Sequence, residues 1–402
     1  MQNLISRPDY LNNLKSWKNK SDLIKIATGI RRCGKSTLFL LFQNYLKKNN
    51  VSANQITNIN LELADNEALL NWKKLHKYVE NKLVPNKINY VFIDEIQLVK
   101  DFPKAINSLR LKKNVDLYVT GSNAYMFSQK ITTLLSGRFI EIKMLPLSFK
   151  EYVSSFENKS DLNSIYNSYT KNSSFPQTLA FNNDGKLIQD YLVGLYNTVI
   201  QKDILLRGQF KDTSRLENTV RFLFDNIGSE TSVRNISNTL LSGGRKIHPQ
   251  TIESYIQGLI DSYLLYRVEK YDTKGKQYLK SNSKYYVADI GLRYALLGRT
   301  DSDMGHILEN IVYLELLRRG YRVSVGKSGS KEIDFIAQQP GGKTEYYQVA
   351  QSVLAAETLR RELAPLQSID DNYPKYLLSR DADDANYNGI QHINVLDWLL
   401  GK

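Results

Sequence analysis

Over the first 145 residues, short apolar runs alternate with segments of helical period, which predicts strands interleaved with helices. Residues 7–17 read as a short amphipathic helix. Ile24–Ala27 (IKIA) reads as a buried strand, Leu38–Lys47 (LFLLFQNYLK) as a helix, Gln55–Leu63 as an alternating strand and Asn71–Leu83 as a helix. Four apolar residues, Tyr90 to Ile93, then run straight into Asp94 and Glu95, the form of a buried parallel strand with acids at its carboxyl end. A further apolar strand, Val115–Thr120, ends in Gly121-Ser122-Asn123, and a strand-like FIEIKMLPLSF follows Arg138. Strands spaced in this way imply an α/β fold, a parallel sheet with helices on both faces.

The pattern changes after Leu147. Residues 148–206 are polar and aromatic, with helical stretches near Phe149–Phe156 and Leu187–Leu205, and suit a helical lid. Leu216–Ile227 and Val233–Leu241 read as helices, the second capped by Ser232. A third helix, Gln250–Ser262, carries Ile252, Ile256, Leu259 and Ile260 on one face. LLYRVEKYDTKGKQYLK follows as two alternating strands about a Lys-Gly turn. Three helices and a basic hairpin predict a winged helix-turn-helix, with Lys270, Lys274, Lys276 and Lys280 placed for phosphates and the third helix for a major groove. That helix has no Arg or Lys for base readout, so a winged helix used for protein packing stays open beside the DNA-binding one. The remainder runs in an α-β-β-β-α-β order: helix Gly305–Arg319, strands at Tyr321–Val325, Glu332–Ala337 and Glu345–Ala350, helix Ala355–Leu366, then strands near Tyr376–Leu378 and Ile390–Asn394.

Chemistry concentrates at the end of the first strand. Gly29–Thr37 (GIRRCGKST) fits G-x-x-x-x-G-K-[ST], a loop whose amides and following helix N-terminus point donors at an anion. Gly29, Ile30, Arg31, Arg32, Cys33, Gly34 and Thr37 would cradle the phosphates, Lys35 would hold the β/γ-phosphates and Ser36 would offer its hydroxyl to Mg²⁺. Asp94 is placed to reach the same Mg²⁺, and Glu95 to polarise an attacking water. The implied ligands are ATP and Mg²⁺. Ser122 or Asn123 can meet the γ-phosphate or the water, or can simply make a turn. Arg138, in Ser136-Gly137-Arg138, is either an arginine finger for a neighbouring subunit's site or a surface arginine. Cys33 lies beside Arg31, Lys35 and a helix N-terminus, a setting that can activate a thiol; packing under the loop is the reading favoured for it.

GIRRCGKSTL, VFIDEIQ, VTGSN and LSGRFIEIKMLPLSFKEY together resemble a branch of AAA-type P-loop ATPases of bacteria and archaea whose C-terminal half is a domain of unknown function. The resemblance spans essentially the whole chain and puts the family's ATP-site roles on Lys35, Ser36, Asp94 and Glu95. It implies a P-loop ATPase core at 1–147, a helical lid at 148–206, a winged helix-turn-helix at 207–283 and a restriction-endonuclease-like α/β domain at 284–402. The last stretch is similar to a nuclease superfamily that uses Asp and then Glu-x-Lys to bind metal and activate water. Here Asp334 is followed by Gln348-Val349-Ala350, and a hairpin centred on Gly341 sets Asp334 opposite Gln348. Glu309 and Glu332 can help Asp334 hold a cation. The lysine's role is unfilled, so the expectation is a nuclease fold kept for binding or assembly.

Composition narrows the partners. At 402 residues the chain suggests about two to four domains. An excess of Lys+Arg (54) over Asp+Glu (41) gives a net charge of +13, which favours an anionic partner such as nucleic acid. No run approaches the ~18 apolar residues of a membrane span, and the amino end lacks the core of a signal peptide. A single cysteine excludes an intrachain disulfide and suits a reducing cytoplasm. The expectation is therefore a cytoplasmic Mg²⁺-dependent ATPase, a homo-oligomer working on duplex or branched DNA or a DNA-bound partner. An ATP-loaded switch acting on protein partners is the alternative, and an ATP-gated nuclease comes third.

Overall fold

The computed structural model describes residues 4–124, 135, 137–206, 210, 212–242, 247–275, 277–298, 304–382 and 385–402. The chain divides into two units, one of Met1–Pro146 with Asp261–Tyr263, the other of Leu147–Ile260 with Leu264–Lys402.

The first unit runs α1 (Pro8–Ser16), β1 (Ile24–Thr28), α2 (Lys35–Lys48), β2 (Ile56–Asn60), α3 (Trp72–Glu80), β3 (Asn89–Asp94), α4 (Phe102–Arg110), β4 (Val115–Gly121) and β5 (Phe139–Lys143). The five strands are all parallel, in the order β2-β3-β4-β1-β5. Every residue of β1 and β4 is buried, as a sheet covered on both faces requires. On one face Phe39 and Phe42 of α2 pack on Phe92 and Tyr118. Another core joins Leu75 and Val79 of α3 and Ile106 and Leu109 of α4 to Ile26, Val91, Ile93 and Val119. Two charges interrupt these apolar strands: Lys25 and Asp116 are fully buried and paired. Asp116 also accepts from the Tyr118 hydroxyl (2.9 Å) and the Asn19 N–H (2.8 Å). The strand expected over Gln55–Leu63 is shorter, because the Asn60 side chain accepts from the Glu62 N–H at 2.9 Å and turns the chain. The helix expected from Asn71 starts at Trp72, with Asn71 as its cap.

The second unit opens with α5 (Phe149–Val153), α6 (Leu162–Asn172) and α7 (Gly185–Thr198), the last passing into a π-helical turn, Val199–Leu205. Then come α8 (Thr213–Asp225), α9 (Val233–Ser242) and α10 (Pro249–Asp261), with Ser232 Oγ accepting from the Asn235 N–H at 3.1 Å as the cap of α9. Strands β6 (Leu265–Asp272) and β7 (Gln277–Val287), helices α11 (Ile290–Leu297) and α12 (Met304–Arg318) and strands β8 (Arg322–Ser328), β9 (Lys331–Gln338) and β10 (Thr344–Val349) follow. Helix α13 (Ala356–Gln367), strands β11 (Lys375–Ser379), β12 (Ala385–Tyr387) and β13 (Ile390–Asn394) and helix α14 (Val395–Leu400) complete it.

The hairpin expected as a separate wing is instead the edge of one eight-stranded sheet, β12-β13-β11-β10-β9-β8-β6-β7. Lys270–Asp272 of β6 pair in parallel with Val325–Lys327 of β8. Strand β7 also runs through the boundary expected at residue 283. Two contacts extend it. Tyr286 stacks on Tyr313 of α12 at 4.6 Å, and the fully buried Asn310 amide bonds both the N–H (2.8 Å) and the C=O (3.0 Å) of Val287.

Candidate functional site

Strand β1 ends at Thr28, and the chain turns through Gly29–Gly34 into α2. Gly29 sits at φ +137°, where a Cβ would lie 2.1 Å from the Met144 carbonyl oxygen, so only glycine fits. Gly34, at φ +106°, begins α2, and no side chain caps that helix, leaving its first amides for an anion. Lys35 is buried, and its ammonium lies across the loop, donating to the carbonyls of Gly29 (2.9 Å) and Ile30 (3.1 Å). Arg31 pairs with Glu62 at 3.3 Å, Arg32 is exposed at φ 65°, and Thr37 is half-buried in the first turn of α2. Cys33 is fully buried beneath the loop, consistent with a packing role.

Strand β4 separates β1 from β3, and its tip joins the two motifs. Ser36 Oγ donates to Asp94 Oδ2 at 2.6 Å. Thr120 of β4 donates to Asp94 Oδ1 and accepts from the Glu95 N–H at 2.9 Å. Burial pushes the Asp94 carboxyl above its ordinary range, against the hydrogen bonds from Ser36 and Thr120. Glu95 is buried, and Gln97 Nε2 donates to its Oε2 and to Ser122 Oγ (3.3 Å). Ser122 and Asn123 are buried at the end of β4. Two hard oxygen ligands 2.6 Å apart, Ser36 and Asp94, beside an ammonium and free helix amides fit Mg²⁺ with a phosphate, a cation that takes few protein ligands. Arg138 lies elsewhere. Exposed just before β5, it accepts from the Ile24 N–H at 3.1 Å at the start of β1. Five residues of parallel strand, roughly 16 Å, separate it from its own chain's loop.

Three residues in this network carried no signal in the sequence. Arg7, 3% exposed, donates to the Cys33 carbonyl (2.9 Å) and to those of Leu145 (2.9 Å) and Pro146 (3.5 Å), tying the loop to the chain beyond β5. Its guanidinium lies 4.8 Å over the Tyr10 ring. Thr120 and Gln97 fall inside the two motif stretches, but their partners are fixed only by the strand order.

The second unit holds a cavity of about 750 Å³ lined in part by Lys284, Glu309, Glu332, Asp334, Gln348 and Glu362. Asp334 and Gln348 lie opposite one another, as the hairpin geometry requires: the Asp334 N–H donates to Gln348 Oε1 (3.4 Å) and the Val349 N–H to Asp334 Oδ2 (2.8 Å). Gln348 Nε2 in turn donates to Glu362 at 3.0 Å. Glu309 and Glu332, expected to help Asp334 with a cation, instead hold the ammonium of Lys284 at 2.8 Å each. Burial alone would lower the Lys284 pKa, but the carboxylates of Glu309, Asp334 and Glu332 outweigh it and hold it above the ordinary lysine value. Burial, then Glu309, pushes Asp334 well up, against Lys284 and the Val349 N–H. Among the described residues no group of three or more His, Cys, Asp or Glu side chains is arranged to hold a metal ion.

One lysine expected on the wing is likewise spent internally. Lys270 is buried and paired with Glu230 and, at 3.3 Å, Glu332, so it does not face solvent phosphates. Lys274 is exposed, whereas Lys276, the side chain of Lys280 and Ser136 lie outside the described residues. Helix α10 turns Gln250, Ser254 and Gln257 outward, and its Glu253 pairs with Arg267 at 2.8 Å.

Comparison with known proteins places the first site within a recognised domain. A family model described as an AAA domain matches residues 21–153, and one described as a domain of unknown function matches residues 163–303. A Haemophilus influenzae protein described as uncharacterised is 38% identical over 402 residues, covering 99% of each chain. One from Methanocaldococcus jannaschii, also described as uncharacterised, is 28% identical over 334 residues, 78% of this chain and 71% of its own. The solved structure of the Walker-type ATPase of Pyrococcus abyssi shares the fold, with a TM-score of 0.51 at 17% identity over 73% of this chain and 96% of that one. No helix among the described residues is long and apolar enough to cross a membrane. The chain belongs, with its Haemophilus influenzae relative, to a family that joins an AAA-type P-loop ATPase domain to a domain of unknown function.

Proposed function

We propose that this chain is a cytoplasmic Mg²⁺-dependent ATPase that couples turnover to a conformational change on DNA or a DNA-bound partner. The observation behind it is the single hydrogen-bonded set Ser36–Asp94–Thr120–Glu95–Gln97–Ser122, which links the metal-holding oxygens, the water-polarising carboxylate and the tip of β4. Mg²⁺ bound with ATP supplies charge neutralisation at the phosphates. Ser36 and Asp94 hold that cation, Lys35 exchanges its loop carbonyls for phosphate oxygens, Glu95 takes a proton from the attacking water, and Ser122 or Asn123 meets the γ-phosphate. Arg138, exposed and remote from its own loop, is suited to a neighbour's site, so a homo-oligomer is part of the proposal.

We read α8–α10 with β6–β7 as a winged helix, and the elements from α12 onward as a restriction-endonuclease-like fold that does not cleave. The +13 charge favours DNA as the partner. Steady-state ATP hydrolysis with single-stranded, duplex and branched DNA at two salt concentrations tests this. Stimulation that weakens with salt supports a DNA substrate. An active ATPase that responds to none of them points to an ATP-loaded switch acting on protein. The internal pairing of Lys270 and the absence of Arg and Lys from α10 favour that alternative.

A further inference from the structure

Glu95 is held in a left-handed backbone conformation, φ 57° and ψ 47°, which a residue with a Cβ adopts only when its surroundings impose it. Here they do. Its N–H is bonded to Thr120 Oγ1 at 2.9 Å and its C=O accepts from the Leu98 N–H at 3.0 Å. The turn Ile96–Leu98 folds back and lays the Gln97 amide on the Glu95 carboxylate. The chemistry fixes which way that amide points: an ionised carboxylate only accepts, so the NH₂ group must face it. Its two N–H bonds go to Glu95 Oε2 and Ser122 Oγ. Gln97 Oε1 is consequently buried with no hydrogen-bond partner among the described residues. An unpaired buried acceptor is unfavourable, so the amide is kept in place by what its nitrogen does.

We infer that Gln97 is the positioning residue of the catalytic carboxylate. Holding Oε2 fixes the Glu95 side chain and reserves Oε1 for the water proton. The second N–H, on Ser122, ties that aim to the tip of β4, the place proposed to meet the γ-phosphate. Gln97 makes and breaks no covalent bond, and the proton passes from water to Glu95. The inference rests on Glu95 being the carboxylate that acts on water. Because Gln97 acts through its bonds to Glu95 and Ser122, its loss acts on turnover and spares affinity.

The test compares Gln97→Ala, the isosteric Gln97→Glu, Glu95→Gln and the double variant Glu95→Gln/Gln97→Ala in the full-length protein. The readouts are kcat and KM for Mg²⁺-ATP, equilibrium nucleotide binding and thermal melting. Both Gln97 variants are expected to lose at least tenfold in kcat while KM, nucleotide Kd and melting temperature stay near wild type. In the double variant the Gln97 change should cost nothing further, as for residues that act as a unit. Wild-type turnover in Gln97→Ala and Gln97→Glu, with Glu95→Gln inactive, would overturn the inference. So would a fall in kcat matched by equal losses of affinity or melting temperature, which marks a structural role. Wild-type turnover by Glu95→Gln would instead remove the assignment of Glu95 itself.

Discussion

At the scale of single residues, the proposed roles separate groups that would hold the nucleotide from the one that would act on water. Lys35→Ala removes the only loop ammonium and should weaken nucleotide binding by roughly 10- to 100-fold, measured by titration calorimetry. Glu95→Gln keeps the shape and removes the base, so binding should persist while turnover falls by roughly 10²- to 10⁴-fold. Asp94 adds a pH dependence. Burial raises its pKa above the ordinary 3.8, and only the ionised form holds a cation, so Mg²⁺ binding should fade on acidification at a higher pH than for an exposed aspartate. A Mg²⁺ titration at stepped pH checks this, and a midpoint at or below 3.8 would count against a buried ligand. The meeting of Ser36 with Asp94 could be anticipated from the sequence because local spacing carries the two motifs on which the roles of Lys35, Ser36, Asp94 and Glu95 are proposed. Arg7, Thr120 and Gln97 could not, because each acts on a partner set by the order of strands. Arg7→Ala strips three carbonyls of a charged donor and should cost about 3 kcal/mol in urea unfolding.

At the scale of elements, the first sheet was legible from its apolar runs, but the charges inside those runs were not interpretable alone. Lys25 in β1 and Asp116 in β4 make sense only once the two strands lie side by side. Asp116→Ala leaves Lys25 buried without its counter-charge and should destabilise the first unit by about 3–5 kcal/mol. Lys25→Met combined with Asp116→Leu should recover part of that in the same denaturation experiment, since it removes the unpaired charge but leaves the Tyr118 hydroxyl and the Asn19 N–H without their acceptor. The second unit repeats the lesson. The hairpin that carries Asp334 and Gln348 has no lysine beside them, and the ammonium that pairs with Glu309 and Glu332 comes from Lys284 of β7, fifty residues before Asp334. No local motif could supply it. Strand β7 itself ran past its expected end because α12, through Asn310 and Tyr313, completes it from outside the hairpin.

At the scale of the whole molecule, the chain forms two compact units, and within the second β6 is bonded to β8 across the boundary expected at residue 283. A hairpin read locally looks like a free wing; its second neighbour lies some fifty residues away and leaves no trace in the pattern. A chain cut after residue 283 would lose the end of β7 and bare an edge of β6 that normally pairs with β8. Such a fragment should aggregate, whereas the intact chain should stay dispersed in light scattering. Arg138→Ala mixed with Lys35→Ala tests assembly: if Arg138 serves a neighbour, mixed oligomers regain hydrolysis that neither variant has alone. The shared sheet also bears on ancestry. A module that gives a strand to the next one cannot be lifted out and traded between genes without unravelling what it leaves behind. Lineages of this family should therefore carry the stretch from β6 to β13 as one heritable block, with recombination tolerated only outside it.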